Sequence, residues 1–443
     1  MPSSFRPLLR IAWRNVRKHW RHSIGAILSI VVGFVAIGLF EGYLSDMEEV
    51  QQQYYVHRAM TGHVIVERRG ASTSEGRQDP WRYALRPEDQ AALDAYLQLR
   101  DPDVVTRMRV LQVGGLASTG DAGVMFVAWG LDVAESTEVR GDWAWNVTAG
   151  LPLHAADGEA VIAGNGLGAL LGCSGPPPDA ALGRDGRPTG ELRPMRCVQP
   201  RVQLSSTTEH GQLNVVEPTI VGLFDGLMKD VDNRWIHMPL PLAQRLADTE
   251  AVSMYVVLLR EGGRARAFAD GLQAHAAARG LDVTAVPWNE HVIADMYRRS
   301  SSILSIYRNL VILIVVTIAG MSVLTTMLKA VNERVREIGT LRSLGFRRRH
   351  VVGLFAIEAA LLAALSSGIG LVATWGLVRL INAAGVSYSG GFAATPIPLT
   401  VSLVPAACLF ALIFLSAVAI LAALVPARRA ARLAIPDALG HAA

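Results

Sequence analysis

The stretch VNERVREIGTLRSLGF occupies residues 331–346 and lies between two long apolar runs. Apolar residues recur in it at helical spacing and make one stripe, formed by Val331, Val335, Ile338 and Leu341. Charged residues fill most other positions, and a glycine follows where it can end a helix. The pattern predicts an amphipathic helix between two membrane spans. A helix in that position can receive force from a soluble partner. The alternative is a solvated juxtamembrane linker, which so regular a stripe makes the weaker interpretation.

The apolar runs of the chain are long enough to cross a membrane. We place four spans, at 23–44, 309–328, 351–381 and 401–425, each able to cross ~30 Å of hydrocarbon as a helix of about 20 residues. A buried core helix is the alternative for any one run. The chain is 51% hydrophobic with a mean hydropathy of +0.30, which is too apolar for a soluble protein of 443 residues. No A-x-A cleavage site follows the first run, so we interpret it as an uncleaved anchor.

Basic residues are concentrated in three short segments beside these spans. Residues 1–22 form a basic amphipathic segment without any acidic residue, and Arg is also frequent in 329–349 and 426–443. Because Arg and Lys favour the cytoplasmic side of a membrane, all three segments and both termini are predicted to be cytoplasmic. Residues 45–300 are then expected outside.

Residues 45–300 have the pattern of a mixed α+β domain. Runs rich in β-branched and aromatic residues, such as 254–260, alternate with helical runs such as 263–280. Both ends of the domain also carry apolar residues at helical spacing, at 43–54 and 292–310. We expect each neighbouring span to continue outward as a stalk helix, with the two stalks side by side. Two unrelated surface helices are the alternative.

Two of the three cysteines flank a stretch rich in Gly, Pro and Arg at 172–200. In an oxidising compartment a disulfide between Cys173 and Cys197 would close this loop and contribute about 3 kcal/mol. Two free, buried thiols are the alternative. Cys408 lies inside the fourth span and is expected only to pack.

The sequence lacks the common catalytic and nucleotide-binding motifs. It has no G-x-x-x-x-G-K-[ST], G-x-S-x-G, H-E-x-x-H or C-x-x-C pattern, so we predict no enzymatic activity, cofactor or metal in the chain itself. Asp225, Asp230 and Asp232 cluster near a turn, where we favour a solvated loop over a metal site. GNGLG at 164–168 is interpreted as a helix start packed on a strand. Nucleic acid is not an expected partner, because the basic residues follow the membrane and do not alternate with aromatic residues.

Glu358 is an ionisable residue inside the third apolar run. A carboxylate at that depth is costly unless it is paired. We favour a structural pair, for example with an Arg of residues 329–349, over a role in proton relay. The same run carries small residues four apart, a spacing that favours close helix packing within the chain or with a second copy, at Ala364 and Gly368 and at Ser366 and Gly370.

Several of these stretches resemble one family of membrane proteins. VNERVREIGTLRSLGF closely resembles the cytoplasmic coupling segment of the FtsX/MacB/LolCE superfamily of ABC-transporter permeases, and PARRAARLAIPDAL (426–439) resembles its terminal signature. The opening AWRNVRKHWRHSIGAILSI (12–30) is also similar. TGHVIVERR (61–69) and the later stretches 160–172 and 219–247 look like the periplasmic core domain, especially of the lipoprotein-release branch. The insertion between the two cysteines departs from that pattern.

The resemblance implies an α-helical membrane protein with four transmembrane helices and a large α+β periplasmic domain, a MacB-like periplasmic core domain, between helices 1 and 2. It implies a multi-pass protein of the bacterial inner membrane that works with a cytoplasmic ABC ATPase dimer and a second permease, either a copy or a homologue. ATP would bind the partner ATPase. Further expected partners are membrane lipid and a periplasmic adaptor or lipoprotein. The residues expected at the ATPase contact are Glu333, Arg334, Glu337, Ile338, Leu341 and Gly345.

The function that follows is that of a permease subunit of the mechanotransmission type, which couples hydrolysis by a separate ATPase to periplasmic work. The resemblance favours extraction or export of a lipoprotein or lipid-like cargo. The alternative is an FtsX-like membrane scaffold that regulates cell-wall hydrolases.

Overall fold

The structure is a computed structural model of the 443-residue chain. It describes residues 5–18, 20–100, 102–120, 123–141, 147–154, 158–176, 193–226, 228–388 and 397–432. The chain divides into two compact units, a helical unit of residues 1–48, 301–385 and 400–443 and an α/β unit of residues 49–300 and 386–399. The α/β unit is thus formed mainly by the segment that follows the first long helix.

The described helices are numbered in chain order. They are α1 Phe5–Lys18, α2 Trp20–Gln53, α3 Ser74–Gln78, α4 Pro87–Leu99, α5 Val133–Arg140, α6 Asn165–Leu170, α7 Lys229–Arg234, α8 Leu240–Ala247, α9 Ala265–Ala278, α10 Asp295–Glu333, α11 Val335–Ser343, α12 Arg348–Ala384 and α13 Pro405–Arg432. A π-helical turn, Tyr54–Arg58, extends α2.

Four of these helices are long and apolar enough to cross a membrane: α2 with its π-helical turn, α10, α12 and α13. Most of their buried apolar side chains form one cluster, and much of their remaining surface is apolar and exposed, as expected of helices that face lipid. Four apolar helices together with a large mixed α/β domain between the first two confirm the predicted fold class.

Glycines let α2 approach its neighbours closely. A Cβ on Gly33 would lie 2.7 Å from a methyl of Val315 in α10, and one on Gly370 would lie 2.8 Å from Phe34 of α2. Gly370 therefore packs within the chain, as one of the two predicted alternatives requires. Gly368, by contrast, has nothing within 4 Å of its Cβ position and stands on an exposed face of α12.

The described strands are also numbered in chain order. They are β1 Val64–Arg68, β2 Val104–Ser118, β3 Gly123–Leu131, β4 Val147–Gly150, β5 Ala160–Gly164, β6 Cys173–Ser174, β7 Arg196–Cys197, β8 Gln203–Thr207, β9 Leu213–Val216, β10 Thr219–Phe224, β11 Trp235–Pro239, β12 Met254–Leu259, β13 Val283–Pro287, β14 Ser387–Tyr388 and β15 Ile397–Pro398.

Most of the strands of the α/β unit belong to one mixed sheet. Its order is β13-β1-β12-β2-β3-β11-β5-β10-β4, and the β8–β9 hairpin joins it through β2. The pairs β3–β11 and β5–β10 are parallel, and the other pairs are antiparallel. Every residue of β12 is buried, and alternate residues belong to two different apolar clusters. The sheet is therefore covered on both faces, which explains why β12 reads as a continuous apolar run.

The two stalk predictions correspond to long helices. α2 continues to Gln53, well past the predicted end of the span at 44, and α10 begins at Asp295, well before the predicted start at 309. Within the helical unit, Glu41 and Arg308 form an ion pair at 4.0 Å. Within the α/β unit, Tyr55 of the π-helical turn packs edge-on against Tyr297 of α10, with ring centroids 6.1 Å apart. The two stalks thus meet at both levels, in agreement with the side-by-side prediction.

The interpretation of the aspartate cluster as a solvated loop was wrong for two of its three members. The Asp225 carboxylate is fully buried and forms an ion pair with Arg58 at 2.8 Å. Asp232 is buried as well and accepts hydrogen bonds from the backbone N–H groups of Gly166 and Gly226, at 2.8 and 3.2 Å. These carboxylates hold chain segments together, because burying them unpaired would be costly. Only Asp230 remains exposed to solvent.

GNGLG at 164–168 forms the end of β5 and most of α6, as predicted for a helix start packed on a strand. Part of the Gly- and Pro-rich loop lies outside the described residues, at 177–192, and so does the end of the terminal signature, at 433–439.

Candidate coupling segment

The segment that joins α10 to α12 is not one helix, so the amphipathic helix predicted for residues 331–346 is interrupted. α10 continues to Glu333, and a second helix, α11, begins at Val335. Arg334 between them leaves the helical conformation, with φ −118° and ψ 18°. Its N–H donates to the Val331 carbonyl, and its carbonyl accepts from the N–H of Ile338, so two backbone hydrogen bonds connect the helices on either side of the break.

α11 ends at the predicted glycine. Gly345 has φ +94°, a conformation that residues with a Cβ adopt only at a cost. The N–H of Gly345 donates to Arg342 O and the N–H of Phe346 donates to Leu341 O, the paired bonds of a Schellman helix end. The two bonds satisfy carbonyls that would otherwise be left unpaired at the end of α11.

The apolar stripe faces the chain's own helices. Val331 and Ile338 are buried in the cluster that also contains Val16 of α1 and Phe355 of α12, whereas Leu341 is half-buried. Of the residues predicted at an ATPase contact, Ile338 is therefore covered by the protein itself. Its contribution is to hold α11 on the bundle.

Arg334 is also buried, because it pairs with Glu358. Its Nη1 donates to Oε1 of Glu358 at 3.0 Å, and both side chains are more than nine-tenths buried. The structure thus contains the favoured Glu358–Arg pair, and it removes Arg334 from the surface where an ATPase contact was expected. Within the described part of the chain, the second oxygen of Glu358 has no hydrogen-bond partner. Breaking such a pair leaves an uncompensated charge in an apolar bundle, so the pair holds the start of α11 against α12.

An exposed face remains on the other side of α11. Glu333, Glu337 and Gly345 lie on the surface, so these predicted contact residues are accessible. The sequence pattern missed Leu344, whose surface is 74% exposed. Its spacing from Leu341 predicts burial, but the helix ends just there and the side chain turns outward. A large apolar residue at the last helical turn before a glycine is the signal that could have identified it.

The remaining predicted site residues lie elsewhere. Cys173 and Cys197 are joined by a disulfide that pairs the short strands β6 and β7 in the α/β unit. Cys408 is a free, half-buried thiol in α13. The cysteines therefore take no part in the coupling segment.

Comparison with known proteins places the coupling segment inside a recognised domain. Residues 309–435 match the family model described as FtsX-like permease C-terminal. The chain is 30% identical over 154 residues to the macrolide export ATP-binding/permease protein MacB of Shigella sonnei, covering 35% of this chain and 22% of that protein. It is 26% identical over 232 residues to the MacB protein of Chromobacterium violaceum, covering 52% of this chain and 34% of that protein. The chain thus spans only about a fifth to a third of the length of these relatives.

Solved structures also align with part of the chain. The periplasmic region of MacB from Actinobacillus actinomycetemcomitans aligns with 9% identity and a TM-score of 0.33, covering 52% of this chain and 90% of that one.

Proposed function

We propose, from the premise that this chain is an ABC-transporter permease of the FtsX/MacB type, that it transmits the work of a cytoplasmic ATPase to its α/β domain. The observation that carries the proposal is the continuity of α10. This single helix of 39 residues begins at Asp295 in the α/β unit and ends at Glu333, where the coupling segment starts. At 1.5 Å per residue it is about 58 Å long, and we propose that it carries a displacement of the coupling segment toward the α/β domain.

The coupling segment has the two faces that such a role requires. Its inner face is fixed to the bundle by Ile338 and by the Arg334–Glu358 pair. Its outer face offers Glu337 and Leu344 to a partner. An apolar side chain within a charged rim is typical of a protein contact, and a partner that pushes there would move α12 together with α11.

The proposed assembly contains components beyond these 443 residues. The sequence has no P-loop, so we place the ATP site in a cytoplasmic ABC ATPase dimer outside this sequence. A second permease, a copy or a homologue, would complete the membrane part. A periplasmic adaptor or lipoprotein is the proposed partner of the α/β domain, on the outer side of the inner membrane, with both termini cytoplasmic.

The proposed cargo is a lipoprotein or a lipid-like molecule. The α/β domain supports this proposal with an open cavity of about 650 Å³ whose lining includes Val124, Met125 and Leu170. Met125 and Leu170 are large apolar residues that are well exposed. Exposed apolar surface of this kind is unusual on a domain without a ligand or partner, and it suits an acyl chain.

Site-specific cross-linking tests the coupling proposal. A photoreactive amino acid at Leu344 or Glu337 should capture a protein with a P-loop and an ABC signature, identified by mass spectrometry. The matched control is the same probe at Leu213, an exposed position of the α/β domain, which should not capture it. If the α11 probes capture no ATPase in cells that express the full transporter, the proposed coupling role is wrong.

Depletion of the chain tests the cargo. Accumulation of lipoproteins in the inner membrane supports lipoprotein release. Normal lipoproteins with defective septation or wall cutting would instead support a scaffold that regulates hydrolases. Increased macrolide sensitivity alone would favour the export activity in the names of the relatives.

A further inference from the structure

Helix α1 carries a surface that the proposed function does not use. The helix packs along α12 with Ala12 and Val16, which lie four positions apart and are both buried. Val16 belongs to the same apolar cluster as Ile338 of α11 and Phe355 of α12. α1 therefore rests on the part of the bundle that also holds the coupling segment.

The outward surface of α1 is both apolar and basic. Leu9 and Trp13, again four positions apart, are 38% and 49% exposed. The side chains beside them on the helix surface are basic and exposed, namely Arg10, Arg14, Arg17 and Lys18. Residues 1–40 contain no Asp or Glu, so no neighbour in this stretch of sequence neutralises them.

We propose that this surface binds the headgroups of anionic phospholipids in the cytoplasmic leaflet, which rests on the proposed cytoplasmic location of the amino terminus. Trp13 and Leu9 would enter the boundary between headgroups and acyl chains, where Trp is favoured. Arg10, Arg14 and Arg17 would then lie at the level of the phosphates and attract negative charge. An acidic protein surface would pair with the charges of the arginines but would offer no acyl chains for Leu9 and Trp13 to contact. An anionic lipid offers both, so it is the better match.

The position of α1 gives this binding a consequence. Because Val16 and Ile338 share one cluster, lipid that fixes α1 also restricts how far α11 can move. The anionic lipid content of the membrane would then adjust the response of the permease to its ATPase.

Fluorescence quenching in nanodiscs tests the lipid preference on the full chain without an ATPase, so it can fail while the coupling role stands. Discs of phosphatidylcholine receive an equal mole fraction of brominated phosphatidylglycerol or brominated phosphatidylcholine. The contribution of Trp13 is the difference between the wild type and Trp13→Phe. We expect it to be quenched roughly two- to fivefold more strongly by the anionic lipid, and equal quenching by both lipids would overturn the proposal.

Two sets of arginine variants distinguish the effect of lost positive charge from an effect of misfolding. Changing Arg10, Arg14 and Arg17 together to Gln should abolish the preference, whereas changing them together to Lys should retain it. The matched control changes three exposed arginines of the α/β domain, Arg82, Arg234 and Arg245, to Gln and should leave the preference intact. A preference that survives the first Gln variant contradicts the proposal. So does a change of Trp13 emission with inorganic phosphate alone that matches the effect of phosphatidylglycerol, because the ligand would then be the free anion.

Discussion

At the residue scale, the buried pair of Arg334 and Glu358 was predictable from the sequence in kind but not in its exact partner. A carboxylate in an apolar span requires a partner, so pairing with an Arg of the adjoining segment was predictable. Which Arg would pair was not, because the segment holds several and only the break at Arg334 brings this one to Glu358. For the same reason we predicted Arg334 to be on the surface at the ATPase contact, whereas the structure shows it buried.

Removing one partner of this pair should be worse than removing both. We expect Arg334→Met to destabilise the protein by about 3–5 kcal/mol, since it leaves Glu358 charged and unpaired. The double variant Arg334→Met with Glu358→Leu should recover most of the loss. Both stability changes, of the single and of the double variant, are measured by thermal unfolding of the purified protein with size-exclusion chromatography as the readout. Equal stability of the single and double variants would show that the pair is not energetically coupled.

His63 is expected to make the stability of the α/β domain depend on pH. Burial, followed by the nearby His57, lowers the pKa of His63 to about 4, and its Nδ1 accepts a hydrogen bond from Leu259 N–H. An unfolded histidine has a pKa of about 6.5, so between these values the unfolded state binds more protons and stability falls as pH decreases. We expect the unfolding temperature of the wild type to fall more steeply over this range than that of His63→Asn. Parallel pH profiles would contradict this assignment.

At the element scale, the close approach of α2 to a neighbouring backbone makes one glycine indispensable. A Cβ on Gly42 would overlap the Ser402 carbonyl oxygen, far inside van der Waals contact, so the backbone would have to move. Gly42→Ala should therefore lower stability, despite the higher helix propensity of Ala. Gly25→Ala is the matched control in the same helix, because nothing lies within 4 Å of that Cβ position, and it should be neutral or stabilising. The comparison is made by thermal unfolding in detergent, and equal effects would rule out the close contact.

The elements themselves were largely predictable from the sequence. Runs of about 20 apolar residues identify spans reliably, because a helix of that length crosses the hydrocarbon and pairs all its backbone groups internally. Their true lengths were not predictable in the same way. Beyond the apolar run, α2 continues through polar residues such as Asp46 and Gln51, whose helical state depends on tertiary contacts.

At the scale of the whole molecule, the division into a helical and an α/β unit follows from hydropathy, whereas the grouping of residues 386–399 with the α/β unit does not. That short segment contains the β14–β15 pair and is uncharged, so neither its length nor its composition indicates its neighbours. The strand order of the large sheet was not predictable from the sequence either, because strands far apart in the chain, such as β1 and β12, pair within it.

The proposed topology predicts opposite accessibility for two exposed leucines. In a Cys408→Ala background, Leu213→Cys in the α/β domain should react with a membrane-impermeant maleimide on spheroplasts. Leu344→Cys at the end of α11 should react only after the membrane is opened. Both positions are about three-quarters exposed, at 75% and 74%, so a difference reports sidedness and not burial. Labelling of both from the same side would invalidate the topology.

The disulfide between Cys173 and Cys197 has a practical consequence. It joins two cysteines 24 residues apart in sequence at a Cα–Cα distance of 4.0 Å. Lengthening a segment whose ends are already tied adds little entropic penalty. We expect that a fluorescent protein or an affinity epitope inserted between the two cysteines would leave the large sheet intact and would report the location of the α/β domain.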